Sequence, residues 1–122
     1  MKLSYASEKL KNICTDLAAA KRYFGGDPVL GNSLRIRINF LEGAGCLQDV
    51  ICLPSLHFHN LRRYKRDLSG LFAIDVKSRK EPWRIILQPL DDEDKPYDPC
   101  IIEKIAGATT HIMIKEVSNH YE

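Results

Sequence analysis

The chain has 122 residues, of which 44% are hydrophobic and 28% charged, and its formal net charge is +2. This composition is typical of a folded globular protein and excludes a largely disordered one. No apolar run approaches the roughly 20 residues that span a bilayer, and the first ten residues lack the apolar stretch of a secretory signal. We therefore predict one domain, residues 1–122, in the cytoplasm and without a membrane partner.

The first half of the chain predicts one short strand and two helices. Residues 2–5 suit a strand, and Ser7 suits the N-cap of a helix whose apolar spacing continues to residue 24, before Gly25-Gly26. Residues 34–40 alternate as a strand would. However, Asp27-Pro28 is a typical helix start and Gly43 a typical stop, so we predict a helix over residues 27–43. Residues 46–54 form a connection.

The second half is rich in predicted strands. A short strand covers residues 56–61, and residues 72–76 and 83–87 alternate as half-buried strands do. Residues 91–109 form a loop with a brief ordered insertion, and residues 110–117 form the last strand. Two helices followed by an antiparallel meander predict an α+β domain with its helices on one face of the sheet.

Basic residues are concentrated before and between the two central strands. They are Arg62, Arg63, Lys65, Arg66, Lys77, Arg79, Lys80 and Arg84. Acidic residues gather elsewhere, at positions 91–94. On a chain of nearly neutral charge this band indicates a localised polyanion site, and the alternative is a solvated charged face.

Arg84 interrupts a strand that is otherwise apolar. A buried arginine needs a partner. One interpretation is an ion pair with a neighbouring acid. The other is a phosphate contact, because the planar guanidinium can bind phosphate oxygens in a bidentate manner.

Metal and cofactor signals are weak. His57 and His59 would share one strand face, which suits a metal, but no third ligand follows at a diagnostic spacing. The four cysteines show no CxxC pair and no zinc spacing, so we expect them to be reduced and either buried or incidental. No phosphate-binding glycine loop is present. We expect no metal and no cofactor.

Three segments together resemble a known family. Residues 67–76 read DLSGLFAIDV, residues 83–86 read WRII, and residues 117–121 read VSNHY. This pattern resembles the RelE superfamily, most closely its HigB, or plasmid maintenance killer, branch. The basic stretch before the first segment and residues 91–109 are longer here than in that branch.

The resemblance implies a RelE-like fold, with two N-terminal helices packed on a small twisted antiparallel sheet. It also implies the toxin component of a type II toxin–antitoxin system. Such a protein is a ribosome-dependent mRNA endonuclease that cleaves RNA through the ribose 2′-hydroxyl without a metal. Its implied partners are a cognate antitoxin protein and mRNA on the ribosome.

The same resemblance implies which residues would carry out this reaction. Arg84 would stabilise the phosphorane charge with Lys65 or Arg62, and the histidines would transfer protons. The catalytic candidates are Arg84, Lys65, His59, His120 and Tyr121. The RNA-binding candidates are Arg62, Arg63, Arg66, Lys77, Arg79 and Lys80.

Three alternatives remain open from the sequence. The chain could be a ParE-like gyrase inhibitor, or a non-catalytic module that binds RNA or a partner. The last residues, His120 and Tyr121, could also be a frayed tail with no role.

Overall fold

The structure is a computed structural model that describes residues 1–61, 68 and 70–121. Five strands form one sheet in the order β1-β5-β4-β3-β2. The strands are β1 (Lys2–Tyr5), β2 (His59–Asn60), β3 (Phe72–Asp75), β4 (Arg84–Leu90) and β5 (His111–Ser118). The helices are α1 (Glu8–Thr15), α2 (Leu17–Tyr23), α3 (Pro28–Gly43), α4 (Leu47–Ile51) and α5 (Ile102–Ile105), with a 3₁₀ turn at Pro54–Leu56.

Aspartate and serine side chains cap the first three helices of the chain. Ser7 caps α1 by accepting from the backbone N–H of Leu10. Asp16 has extended backbone angles, ends α1 and caps α2 through a bond from Ala19 N–H. The single helix expected over residues 7–24 is therefore two helices, because an aspartate side chain competes for backbone donors in mid-helix.

The helix over residues 27–43 is confirmed. The Asp27 side chain accepts from the backbone N–H groups of Val29 and Leu30, and Pro28 occupies the first helical turn. These caps prevail over the strand-like alternation of residues 34–40. The helix buries Leu34, Ile38 and Leu41 along one side, and its first residues pack on α2.

The sheet is mixed rather than antiparallel. β2, β3, β4 and β5 pair antiparallel in that order, but β1 pairs parallel with β5, so that Lys2 lies beside His111. Two parallel neighbours need a crossover connection. Here the helices and the three strands between β1 and β5 provide it.

The two faces of the sheet carry separate apolar clusters. The helix face holds the larger cluster, in which Ile74, Ile85 and Leu87 contact α1 to α4. The opposite face, which we call the site face, holds a smaller cluster of Leu61, Leu68, Ala73, Ile86 and Tyr121. A register shift in β5, next to Ile86/Leu87, keeps both Ile114 and Val117 on the helix face although they are three positions apart, an offset that would place them on opposite faces of a regular strand.

The predicted RelE-like fold is wrong. Its antiparallel sheet with two N-terminal helices is replaced by a mixed five-stranded sheet in which four helices, α1 to α4, lie between β1 and β2 on the chain. Alternation of apolar residues located the strands, but it carries no information on which strand β1 joins or in which direction. No helix in the described part of the chain has the length and apolar character to cross a membrane.

Candidate functional site: a cationic pocket

A pocket of about 460 Å³ lies where β3 and β4 meet the turn that joins them. We call it the cationic pocket, because four of its five lining residues are basic. It is lined by His57, Arg79, Lys80, Pro82 and Arg84. Pro82 and the exposed Arg79 and Lys80 come from the turn, while Arg84 begins β4.

Arg84 forms the inner wall of this pocket and is held by an ion pair. Arg84 and Asp75 are directly opposite in the β3–β4 register, and their side chains are 5% and 1% exposed. Arg84 Nε lies 3.2 Å from Asp75 Oδ1. The N–H at this nitrogen makes no hydrogen bond, so the contact is an ion pair without a directed bond. The pair is the first of the two interpretations that the sequence left open.

The other guanidinium nitrogens of Arg84 bind the turn. Nη2 donates to the carbonyl of Arg79 at 3.1 Å, and Nη1 donates to the carbonyls of Trp83, at 3.0 Å, and of Glu81. The turn is also closed by a bond from Val76 N–H to the Trp83 carbonyl. Arg84 therefore fixes the backbone that carries the exposed Arg79 and Lys80.

His57 completes the edge of the cationic pocket, and His59 stacks on it from outside the pocket. His57 Nδ1 lies 3.2 Å from Asp75 Oδ1, so one carboxylate oxygen faces both His57 and Arg84. His57 has a left-handed backbone (φ 54°), and its ring stacks on that of His59 with centroids 4.4 Å apart. His59 Nδ1 donates to the His57 carbonyl at 2.7 Å.

The charge of the pocket is positive towards solvent. Asp75 is the counterion of Arg84 at the inner wall. Arg79 and Lys80 are exposed, and neither has an ion-pair partner among residues 1–61, 68 and 70–121. The long cationic side chains of Arg79 and Lys80, in front of the fixed Arg84 guanidinium, are suited to bind an anion with several oxygens.

The structure brings some of the predicted catalytic residues to one face. Opposite residues of antiparallel strands point to the same side. His59 pairs with Ala73, Ala73 pairs with Ile86, and Ile86 shares the side of Arg84 two residues earlier in β4. His59 and Arg84 therefore lie on the site face, as expected from the alternation.

The two residues near the end of the chain differ from each other. Tyr121 is 5% exposed, packs in the cluster of the site face, and donates its hydroxyl to Glu116 Oε2 at 3.3 Å. It is a core residue rather than part of a frayed tail. His120 is exposed, and its backbone N–H donates to Ser118 Oγ.

The remaining predicted site residues lie outside the cationic pocket or outside the described residues. Lys77 is exposed and does not line the pocket, and its carbonyl accepts from Arg37 of α3. Four of the predicted residues, including the preferred catalytic lysine, lie outside the described residues. They are Arg62, Arg63, Lys65 and Arg66.

Sequence reasoning missed the carboxylate of the site. Asp75 lies in an apolar strand at the position opposite Arg84, and a charge in each of two adjacent buried strands is a signal for such a pair. Arg37 of α3 donates to the carbonyls of Asp75 and Lys77. The sequence carried no signal for these bonds, because they depend on how α3 packs on the sheet.

Comparisons with known proteins give one curated relative. It is a protein of Brucella abortus (strain 2308) named probable 2′ cyclic ADP-D-ribose synthase TcpB, to which the chain is 28% identical over 123 residues. The match covers 95% of this chain and 48% of that protein, so the chain spans about half the length of the relative. No family model matches the chain, and no solved structure matches it.

This relative overturns the assignment to the RelE superfamily. A match along nearly the whole chain to a protein named as a cyclic ADP-ribose synthase replaces the predicted toxin and endoribonuclease, which depended on short motifs. The gyrase-inhibitor alternative depended on the same superfamily and is wrong with it. The antitoxin and the ribosomal mRNA were implied partners that no described contact tests, and they stay predictions.

Proposed function

We propose that this chain is a nucleotide-binding domain that holds the pyrophosphate of an ADP-ribose-type nucleotide in the cationic pocket. The observation that carries the proposal is the pair of exposed cations, Arg79 and Lys80, in front of the fixed Arg84 guanidinium. The ligand class is taken from the relative, whose name contains ADP-D-ribose. The proposal concerns binding, since the relative is about twice as long as this chain.

The geometry of the turn supports a pyrophosphate rather than a single carboxylate. Arg79 and Lys80 are adjacent on the turn, so their long side chains reach the same anion from neighbouring positions. An arginine can bind two oxygens at once, and a lysine adds a point charge. The bonds from Arg84 to the turn carbonyls hold this backbone in place, which reduces the ordering cost of binding.

The test is calorimetric titration of ADP-ribose into the parent chain and into a double variant, Arg79→Ala/Lys80→Ala. Hydrogen bonds to charged groups are worth about 1.5–3 kcal/mol each, so the variant is expected to bind at least about tenfold more weakly. The matched control is Lys9→Ala/Lys11→Ala on α1, which removes the same charge from exposed positions away from the pocket. That control is expected to bind within about twofold of the parent, since distant charges are screened.

Two results would contradict the proposal. The first is equal affinity of the pocket variant and the parent for ADP-ribose. The second comes from a single-stranded RNA oligonucleotide used as a competing polyanion. If RNA displaces ADP-ribose at far lower concentration and the pocket variant loses RNA binding instead, the nucleotide assignment fails.

A cytoplasmic location is part of the same proposal. Cys14, Cys46 and Cys52 form no disulfide, which fits a reducing compartment.

A further inference from the structure

A second pocket, of about 400 Å³, opens at the β2 edge of the sheet. We call it the apolar pocket. Its walls are four apolar side chains from α4, the β2 segment, β3 and α5, namely Ile51, Phe58, Phe72 and Ile102. The Phe58 and Phe72 rings stack with centroids 5.1 Å apart and planes 16° apart, so the aromatic wall is rigid.

Four polar residues also line the apolar pocket, and all of them except the half-buried His59 are exposed. They are Gln48, His59, Asn60 and Glu103. Amide side chains offer both donors and acceptors to a flat heterocycle. The carboxylate of Glu103 repels phosphate, so this pocket does not suit the anionic part of a nucleotide.

The two pockets are neighbours through the stacked histidines. His57 lines the cationic pocket and His59 lines the apolar pocket, and their ring centroids are 4.4 Å apart. The two pockets therefore approach each other at this pair of stacked imidazole rings, at the β2 edge of the sheet. A volume of about 400 Å³ is within the usual range of roughly 300–1,000 Å³ for small-molecule sites.

We infer that the apolar pocket is the base subsite, which takes the adenine of the nucleotide whose pyrophosphate occupies the cationic pocket. This inference rests on the proposed function. Adenine is a flat aromatic ring with an amine and ring nitrogens at its edge. It matches aromatic walls with exposed amides beside them. His57 and His59 then lie between base and pyrophosphate, where the ribose passes.

The test compares ADP-ribose, which has base and pyrophosphate, with inorganic pyrophosphate, which lacks the base. The variants are Ile102→Ala on α5 and Ile51→Ala on α4, and the matched control is Ile105→Ala, which lies on α5 but does not line the pocket. Each wall variant removes apolar contact with the base, so affinity for ADP-ribose is expected to fall about fivefold to tenfold. Pyrophosphate affinity should not change, and the control should bind both ligands as the parent does.

The outcomes separate the two proposals. If the parent binds ADP-ribose no more tightly than pyrophosphate, or if both wall variants bind ADP-ribose as the parent does, the base subsite is wrong while the cationic pocket stands. An equal loss of both ligands in both wall variants, with the fold intact by circular dichroism, also overturns the base subsite. If the parent binds neither ligand, the proposed function and this inference fail together.

Discussion

Removal of the Arg84 side chain should destabilise the protein strongly. Among the described residues, Arg84→Ala would leave His57 as the remaining partner of the Asp75 carboxylate, which is 1% exposed. It would also remove one donor from each of three turn carbonyls, and only the Trp83 carbonyl would keep another, the N–H of Val76. Breaking a buried ion pair by removing one partner costs about 3–5 kcal/mol, because the remaining charge stays buried. That is a large part of the roughly 5–15 kcal/mol by which domains are stable.

Urea unfolding followed by far-ultraviolet circular dichroism measures this cost. The matched control is Arg79→Ala, an exposed arginine of the same turn, for which we expect a change within about 0.5 kcal/mol. The hydrophobic pair Arg84→Met/Asp75→Leu removes both charges at similar volume. It should be much less destabilised than Arg84→Ala, because no buried charge is left alone.

Two measurements would refute this reasoning. One is a loss below about 1 kcal/mol in Arg84→Ala with an unchanged denaturant slope, which would mean that the ion pair is screened by water. The other is a Met/Leu pair that is as unstable as the single variant. In that case packing or turn geometry, not the unpaired charge, would dominate the cost.

Three further predictions test the packing and titration of other parts of the chain. Gly31→Ala should lower the free energy of unfolding by about 1–3 kcal/mol, because a Cβ there would lie 3.1 Å from the Lys21 backbone nitrogen. The control is Gly43→Ala, where a Cβ meets open space, and it should be neutral or slightly stabilising in urea unfolding. Burial raises the pKa of the Cys14 thiol to about 12, so at pH 8 a thiol reagent should label exposed Cys52 and leave Cys14 unlabelled by mass spectrometry until the protein is unfolded. The hydrogen bond from His111 holds the pKa of the Asp94 carboxyl below its ordinary value. The stabilisation of the fold by ionised Asp94 is therefore present above about pH 4 and is lost as the pH falls further. Asp94→Asn should therefore melt below the parent at pH 7 and by a smaller margin at pH 3, and an equal gap at both pH values would contradict this.

Local signals identified most of the elements. The Asp27-Pro28 start predicted α3, and apolar alternation predicted β3 and β4, because caps and side-chain periodicity act over a few residues. The division at Asp16 was missed. An aspartate in mid-helix is compatible with an unbroken helix, and the extended backbone of Asp16 with its cap bond from Ala19 N–H is evident only in the structure.

The site was only partly predictable. The basic residues of the turn and the unusual Arg84 were evident from the sequence, and two readings of Arg84 were weighed. The partner that decides between them, Asp75, is nine residues away along the chain and becomes its neighbour only through the β3–β4 register. The family resemblance misled for a related reason. Short strand motifs with one arginine satisfy packing rules that many sheets share.

The sequence by itself determined where most of the helices and strands lie and where positive charge accumulates. These properties depend on neighbours within a few residues. Only the tertiary structure decided the parallel pairing of β1 with β5, the ion pair of Asp75 with Arg84, and the stacked His57 and His59 between two pockets. Each joins residues through sheet register or a left-handed turn, and those depend on long-range packing free energy rather than on local preference.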